Sequence, residues 1–240
     1  MIRAAAVIPA RFQSTRFPGK PLALILGKPM LRWVYEGVKR AGSVERVLIA
    51  TDDPRIGDAA AAFGAEVVMT SPGHSCGTDR VAEAAAGLAH PIIINVQGDE
   101  PLITGGEIDR LVDALQDPSI PMASLMAKVR DVGLIRDPHL VKVVVDADGY
   151  ALYFSRSPLP YHSDDFFYLH SGIYGFQRGF LLQFARMPAC RLERLEKLEQ
   201  LRVLENGRRI KMIEVARPAL RVDTPQDIIR VEEFLKKRPE

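Results

Sequence analysis

Apolar positions along this chain follow two rhythms, and the change comes after Pro118. Residues 4–8 are an unbroken apolar run, as expected of a strand buried on both faces. Residues 22–26 are apolar again, and Gly27-Lys28-Pro29 makes a turn in which Pro29 suits the first position of a helix. Leu31, Val34, Tyr35 and Val38 then recur at helical spacing until Gly42. Trp33 beside them reads as core. Residues 47–50 are a second strand, which ends in Thr51-Asp52-Asp53-Pro54 and an Ala-rich helix stopped by Gly64. Residues 66–69 are a third. A helix over 81–88, with Thr78 as a candidate N-cap, leads to residues 92–96, apolar on both faces. Thr104-Gly105-Gly106-Glu107 fits a capping box, opening a helix that runs to about Gln116.

The second rhythm is rich in β signals. Residues 122–129 read as a strand. Residues 141–145 and 150–155 flank Asp146-Ala147-Asp148-Gly149, a hairpin turn. Residues 170–176 are another strand. An amphipathic helix is expected over 192–204, closed by Gly207, then a strand over 209–215. Thr224 as N-cap and Pro225 at the first position start a last helix. Strand and helix alternate through the first half, so the expected class is α/β with a doubly wound, mostly parallel central sheet. One domain over 1–240 is expected, with a small β-rich lobe at about 119–186. Tyr150, Tyr153 and Phe154 would give that lobe an apolar surface able to pair with a second copy.

Composition narrows the function. The chain has 240 residues and a net charge of +2. No global field points to nucleic acid or an acidic membrane, so any basic site must be local. Cys76 and Cys190 match no metal spacing and suit reduced thiols in the cytoplasm. A strand begins at once, without a signal-peptide profile. No apolar run approaches the roughly 20 residues of a membrane helix.

The local basic site is the stretch after the first strand. Val7-Ile8-Pro9-Ala10-Arg11-Phe12-Gln13-Ser14-Thr15-Arg16-Phe17-Pro18-Gly19-Lys20-Pro21 puts Arg11, Arg16 and Lys20 on one loop. Such charges repel one another, and a polyanion is the simplest compensation; exposed backbone N–H groups add to the same field. The loop reads as a triphosphate cradle, with a plain basic surface loop as the alternative. It is not a Walker loop, since Pro21 follows Lys20 and the earlier glycine is missing. The segment Ser75-Cys76-Gly77-Thr78-Asp79-Arg80 could line a base or ribose pocket or be an ordinary polar loop, and His74 reads as a loop residue. Gln97-Gly98-Asp99-Glu100-Pro101 lies outside the carboxyl end of a strand, where ligands sit in open α/β sheets. Asp99 is placed for a hard cation such as Mg²⁺. Asp223, just before the last helix, can be structural or a second carboxylate for that metal.

These motifs occur in one order on one core. With Val141-Lys142-Val143-Val144, Tyr150-Ala151-Leu152-Tyr153-Phe154-Ser155-Arg156, Gly172-Ile173-Tyr174 and Leu198-Glu199-Gln200-Leu201-Arg202, the chain closely resembles the 3-deoxy-manno-octulosonate cytidylyltransferases (CMP-Kdo synthetases). The resemblance runs from the first strand to the last helix. It implies a Rossmann-like nucleotidyltransferase fold of the nucleotide-diphospho-sugar transferase type. It also implies transfer of CMP from CTP to the anomeric hydroxyl of 3-deoxy-D-manno-octulosonate (Kdo), for lipopolysaccharide synthesis, by a cytoplasmic homodimer using Mg²⁺. By the same resemblance, Arg11, Lys20, Asp99 and Asp223 are the catalytic set. Ala10, Arg11, Arg16, Lys20, Ser75, Gly77, Thr78 and Arg80 hold the nucleotide. Gln97, Arg156, His170, Tyr174, Glu199 and Gln200 hold the sugar acid, and Asp99 and Asp223 the metal.

Two features depart from the family pattern. Cys76 stands where the family usually has Ser, and the stretch between Pro160 and His170 is shorter. Another sugar acid, such as an 8-amino octulosonate or a sialic-acid-like nonulosonate, would use the same core. A non-catalytic nucleotide-binding regulator is the reading from a different class.

Overall fold

The computed structural model describes residues 2–13, 17–74, 76–163 and 165–237. Arg16 and Ser75, both expected at the nucleotide, lie outside them. The chain forms two compact units, Met1–Asp109 with Ala219–Glu240, and Arg110–Pro218. In chain order the first unit contains β1 (Ala4–Ala10), a 3₁₀ turn (Lys20–Leu22), β2 (Leu24–Ile25), β3 (Lys28–Pro29), α1 (Met30–Lys39), β4 (Val44–Thr51), α2 (Pro54–Ala62), β5 (Glu66–Met69), α3 (Gly77–Ala86) and β6 (Ile92–Asn95). Helix α4 (Gly105–Ala114) leads into the second unit. That unit contains β7 (Met122–Val129), a 3₁₀ turn (Val132–Arg136), β8 (Lys142–Val145), β9 (Ala151–Ser155), β10 (Phe167–Gln177), α5 (Arg178–Phe184), α6 (Arg191–Glu196), α7 (Leu201–Glu205) and β11 (Lys211–Val215). Helix α8 (Pro225–Lys236) returns to the first unit.

The apolar runs explain the first unit. β1 pairs in parallel with β4 on one side and β6 on the other, and β4 pairs in parallel with β5. Ala4 to Ile8 and Ile92 to Ile94 are fully buried, as strands covered on both faces must be. Because all four strands run one way, their carboxyl ends share one edge. The loops that follow β1, β4, β5 and β6 leave from that edge. Asp53 caps α2 through the Arg55 N–H, with Pro54 behind it. Thr104 and Glu107 form the expected capping box, and Thr224 with Asp227 caps α8 in the same way. Trp33 is partly buried and donates to the Ile25 carbonyl at 3.0 Å.

In the second unit β7 pairs antiparallel with β10 and parallel with β11. The expected hairpin is β8–β9, where Asp146 accepts from the N–H groups of Asp148 and Tyr150 and Gly149 takes φ +75°. The chain is thus mixed α/β with a parallel sheet in the first unit, as the alternation predicts. No helix of the described residues is long and apolar enough to cross a membrane.

Three local expectations fail. The helix expected over 192–204 is two short helices, α6 and α7, broken at Lys197, which takes a left-handed φ of 55°. The break buries Leu198 and Gln200 and leaves Leu195 exposed, so tertiary burial overrides the local period. Arg202 pairs across it with Glu193, at 2.5 and 2.8 Å. Helix α3 starts at Gly77, with Cys76 at the cap position, and Thr78 is buried inside its first turn rather than capping it. Phe154 offers no surface to a second copy. It is fully buried, packed edge-on to His170, while Leu152 beside it is exposed.

Candidate active site

The loop after β1 is closed by the Gly19 N–H, which donates to the Phe12 carbonyl at 2.9 Å. Gly19 sits at φ +71°, a conformation L side chains rarely adopt, so glycine is needed at this turn. Pro21 then fixes the 3₁₀ turn over Lys20–Leu22. This is why proline follows the lysine, where a Walker loop would carry a hydroxyl: the turn aims Lys20 back into the first unit.

Lys20 Nζ donates to Asp99 Oδ2 at 2.7 Å and to the Val222 carbonyl at 3.0 Å, and lies 3.7 Å from Asp223 Oδ1. One ammonium therefore stands between the two carboxylates that the sequence paired. The Val222 N–H also donates to the Asp99 carbonyl, tying the segment before α8 to the loop after β6. Arg221 Nη2 reaches the same Asp99 Oδ2 at 3.3 Å. Asp99 is 9% exposed. Burial penalises its charge, but Arg221 and Lys20 outweigh that and hold its carboxyl below the usual range. The Asp99 charge in turn raises the pKa of Arg221, against the cost of burial.

Asp99 Oδ1 is buried and has no hydrogen-bond partner among the described residues. A buried carboxylate oxygen without a donor is an acceptor waiting for a cation or a proton-bearing ligand. Asp99 and Asp223 thus fit a hard divalent ion, which takes one or two carboxylates and completes its shell with phosphate and water oxygens.

These groups wall a cavity of about 790 Å³. Ala10, Arg11, Lys20, Gly77, Arg80, Gln97, Asp99 and Asp223 all line it, so eight residues expected from scattered motifs meet in one place. Arg80 is only 4% exposed and is locked to Thr70 Oγ1 and, at 3.2 Å, to Asp52 Oδ1. It contributes to the wall and to the field. Thr78 lies behind the lining, where its Oγ1 accepts from Asn95 Nδ2 at 3.0 Å; Gln97 Nε2 donates to Asn95 Oδ1 at 3.3 Å. Arg221, Phe12 and Cys76 also line the cavity. Arg221 escaped the sequence reading, although its place just before Val222-Asp223 is a usable signal.

The other residues expected at the sugar belong to the second unit. Tyr174 donates from its hydroxyl to Gln200 Oε1 at 3.1 Å, and Gln200 Nε2 lies 3.5 Å from His170 Nδ1. These three form one cluster on β10 and the start of α7. Glu199 precedes it, half-buried. Arg156 has partners of its own: its Nε donates to the Glu196 carbonyl at 2.9 Å and its Nη1 to the Pro138 carbonyl at 3.0 Å. Two of its donors are thus committed to backbone.

Comparison with known proteins shows the family. The family model described as Cytidylyltransferase matches residues 5–210. A 3-deoxy-manno-octulosonate cytidylyltransferase of Geobacter sulfurreducens is 50% identical, over 96% of this chain and 98% of its own length. One from Geobacter metallireducens is 49% identical, over 98% and 99%. The solved structure of a CMP:2-keto-3-deoxy-manno-octonic acid synthetase complexed with CTP superposes with a TM-score of 0.92 at 40% identity, over 98% of this chain and 99% of that one. This chain belongs to the cytidylyltransferase family, among the 3-deoxy-manno-octulosonate cytidylyltransferases.

Proposed function

We propose that the protein transfers CMP from CTP to the anomeric hydroxyl of 3-deoxy-D-manno-octulosonate, giving CMP-Kdo and pyrophosphate. The observation that carries the reading is the joint at Asp99. A buried carboxylate with one oxygen unsatisfied sits between Lys20 and Arg221, in the wall of a cavity of nucleotide size.

The chemistry is an in-line displacement at the α-phosphorus, in which positioning and charge stabilisation dominate. Arg11 and Lys20, with Arg16, would hold the phosphates and offset the charge that grows on the departing pyrophosphate. The Lys20 ammonium has three N–H donors; two go to Asp99 Oδ2 and the Val222 carbonyl, and the third would take a phosphate oxygen. Ala10 and Gly77, with Ser75, would line the nucleoside, on a wall stiffened by Thr78 and Arg80. Asp99 and Asp223 would hold Mg²⁺, which when bound supplies neutralisation of phosphate charge and polarises the attacking hydroxyl. Gln97, His170, Tyr174, Glu199 and Gln200 would bind the many hydroxyls of the sugar acid, and the remaining N–H donors of Arg156 its carboxylate. The reading makes the protein a cytoplasmic homodimer that supplies lipopolysaccharide synthesis.

The test is pyrophosphate release from CTP and Mg²⁺ with Kdo, N-acetylneuraminate or the 8-amino octulosonate as acceptor. Release with Kdo alone is expected. Release only with another acid would reassign the acceptor, and CTP binding without release under any acid would make the protein a regulator.

A further inference from the structure

Strand β10 carries an irregularity whose effect falls on His170. Its register against β7 slips between Ser171 and Tyr174: Ser171 faces Leu125 and Tyr174 faces Ser124. Gly172 and Ile173 are therefore extra residues on β10, a bulge that re-aims the local backbone. The carbonyls of Ser171 and Ile173 both turn onto the buried Ser124 hydroxyl, at 3.1 and 2.8 Å. The third neighbour of Ser124 Oγ is His170 Nε2, at 2.9 Å.

A serine hydroxyl has one proton, and a carbonyl oxygen can only accept. At 2.8 Å from the Ile173 carbonyl, an Oγ without a proton between the two atoms would set lone pairs against each other. The Ser124 proton therefore lies on the carbonyl side, and Oγ is an acceptor toward His170. We infer that Ser124 is a positioning residue, holding neutral His170 in the Nε2–H tautomer so that Nδ1 is a bare acceptor for the Gln200 amide. The polarity of the cluster follows. Tyr174 O–H donates to Gln200 Oε1, Gln200 Nε2–H points at His170 Nδ1, His170 Nε2–H donates to Ser124, and Ser124 donates to the bulge. Phe154, edge-on to the imidazole with centroids 4.9 Å apart, limits its rotation. The amide orientation of Gln200 is thus set from the bulge rather than by Gln200 itself. This rests on the proposed role of His170, Tyr174 and Gln200 in holding the sugar acid.

The first measurement is the long-range ¹H–¹⁵N spectrum of the wild-type imidazoles at a pH where His170 is neutral, assigned with His170→Ala. A protonated Nε2 and an unprotonated Nδ1 are expected, and the reverse would overturn the inference. The second is kinetic. Ser124→Ala should scramble the His170 tautomer and raise KM for Kdo about fivefold, the worth of roughly one hydrogen bond, with KM for CTP unchanged. Ser124→Cys, which keeps a weak donor and acceptor, should recover part of that loss. Unchanged spectrum and KM in Ser124→Ala would overturn the proposal. If His170→Ala left KM for Kdo unchanged, the sugar site would not include His170 and the functional half of the inference would fall; the wild-type spectrum would still decide the tautomer.

Discussion

Removing Arg221 tests whether the Asp99 joint is an electrostatic unit. The perturbation is Arg221→Met, combined with Asp99→Asn in a double-mutant cycle. At 3.3 Å and an effective dielectric near 20, a bare pair would be worth about 5 kcal/mol. Two features reduce that. The Arg221 side chain is 42% exposed, so water screens it, and Lys20 already occupies the same Oδ2. A coupling of about 1–2 kcal/mol is left, or about 4 °C in Tm for a chain of this size. The pH dependence has a defined sign. The carboxyl of Asp99 is depressed in the folded state. Its contribution is therefore complete above the unfolded value of about 3.9 and is lost as pH falls through the lower folded value. Arg221 stays charged throughout. Thermal melts of the four proteins should show the full gap between wild type and Arg221→Met at pH 7, closing below about pH 4. Additive single effects within about 0.3 kcal/mol, or a gap that persists at the acid end, would refute the pairing as the source of Asp99's depressed titration.

Three further outcomes are expected. Asp99→Asn should cut Kdo-dependent pyrophosphate release by about 10³-fold or more while the protein stays folded by circular dichroism; near-normal turnover with Mg²⁺ would remove Asp99 from the metal site. Lys20→Ala should cost about 10²-fold in the same assay, and an unchanged rate would take Lys20 off the phosphates. Gly37→Ala should lower stability by about 1–3 kcal/mol, because a Cβ there would lie 2.5 Å from the Ile103 carbonyl oxygen. A denaturation midpoint equal to wild type would show that α1 shifts away from that carbonyl at no cost.

Much of this was legible because burial and turn chemistry leave local marks. The unbroken apolar runs at Ala4 to Ile8 and Ile92 to Ile94 can be satisfied only by strands covered on both faces, and both are fully buried. Asp146 and Gly149 specify their hairpin through their own backbone needs. Asp99 could be placed at the ligand edge because loops after parallel strands share it, and Asp223 by its position just before the last helix. What was not legible depends on distant partners. Nothing near Lys197 announces a left-handed residue; the break pays off only through burial of Leu198 and Gln200. Thr78 has the chemistry of an N-cap, but Asn95, 17 residues away, claims its oxygen. Arg80 lines the cavity as expected, but its ion pair with Asp52 and its hydrogen bond to Thr70, which fix it in the wall, join residues far apart in sequence. Arg221 carries no periodic signal, and only its place just before Val222-Asp223 marks it.

The charges in the cavity also constrain how an anion can enter. Lys20 and Arg221 both lean on one oxygen, Asp99 Oδ2, while Oδ1 has no donor among the described residues. The like charges of the two cations are thus held together by a buried counter-charge, which keeps the cradle assembled without a phosphate. A triphosphate shares the Lys20 ammonium with Asp99 and brings negative charge up to that carboxylate, so part of its binding energy is spent against their repulsion. A divalent ion on Asp99 and Asp223 would relieve the cost, because it offsets the carboxylate charge that faces the phosphates. CTP and Mg²⁺ should therefore bind with positive coupling, each tightening the other by the same factor. Asp99→Asn should abolish that coupling. It should leave metal-free CTP binding equal or tighter, because the carboxylate charge that repels the triphosphate is gone. Calorimetric titration of CTP with and without Mg²⁺, on both proteins, measures the four affinities. Weaker metal-free CTP binding in Asp99→Asn would mean that Asp99 organises the cradle for the nucleotide rather than competing with it.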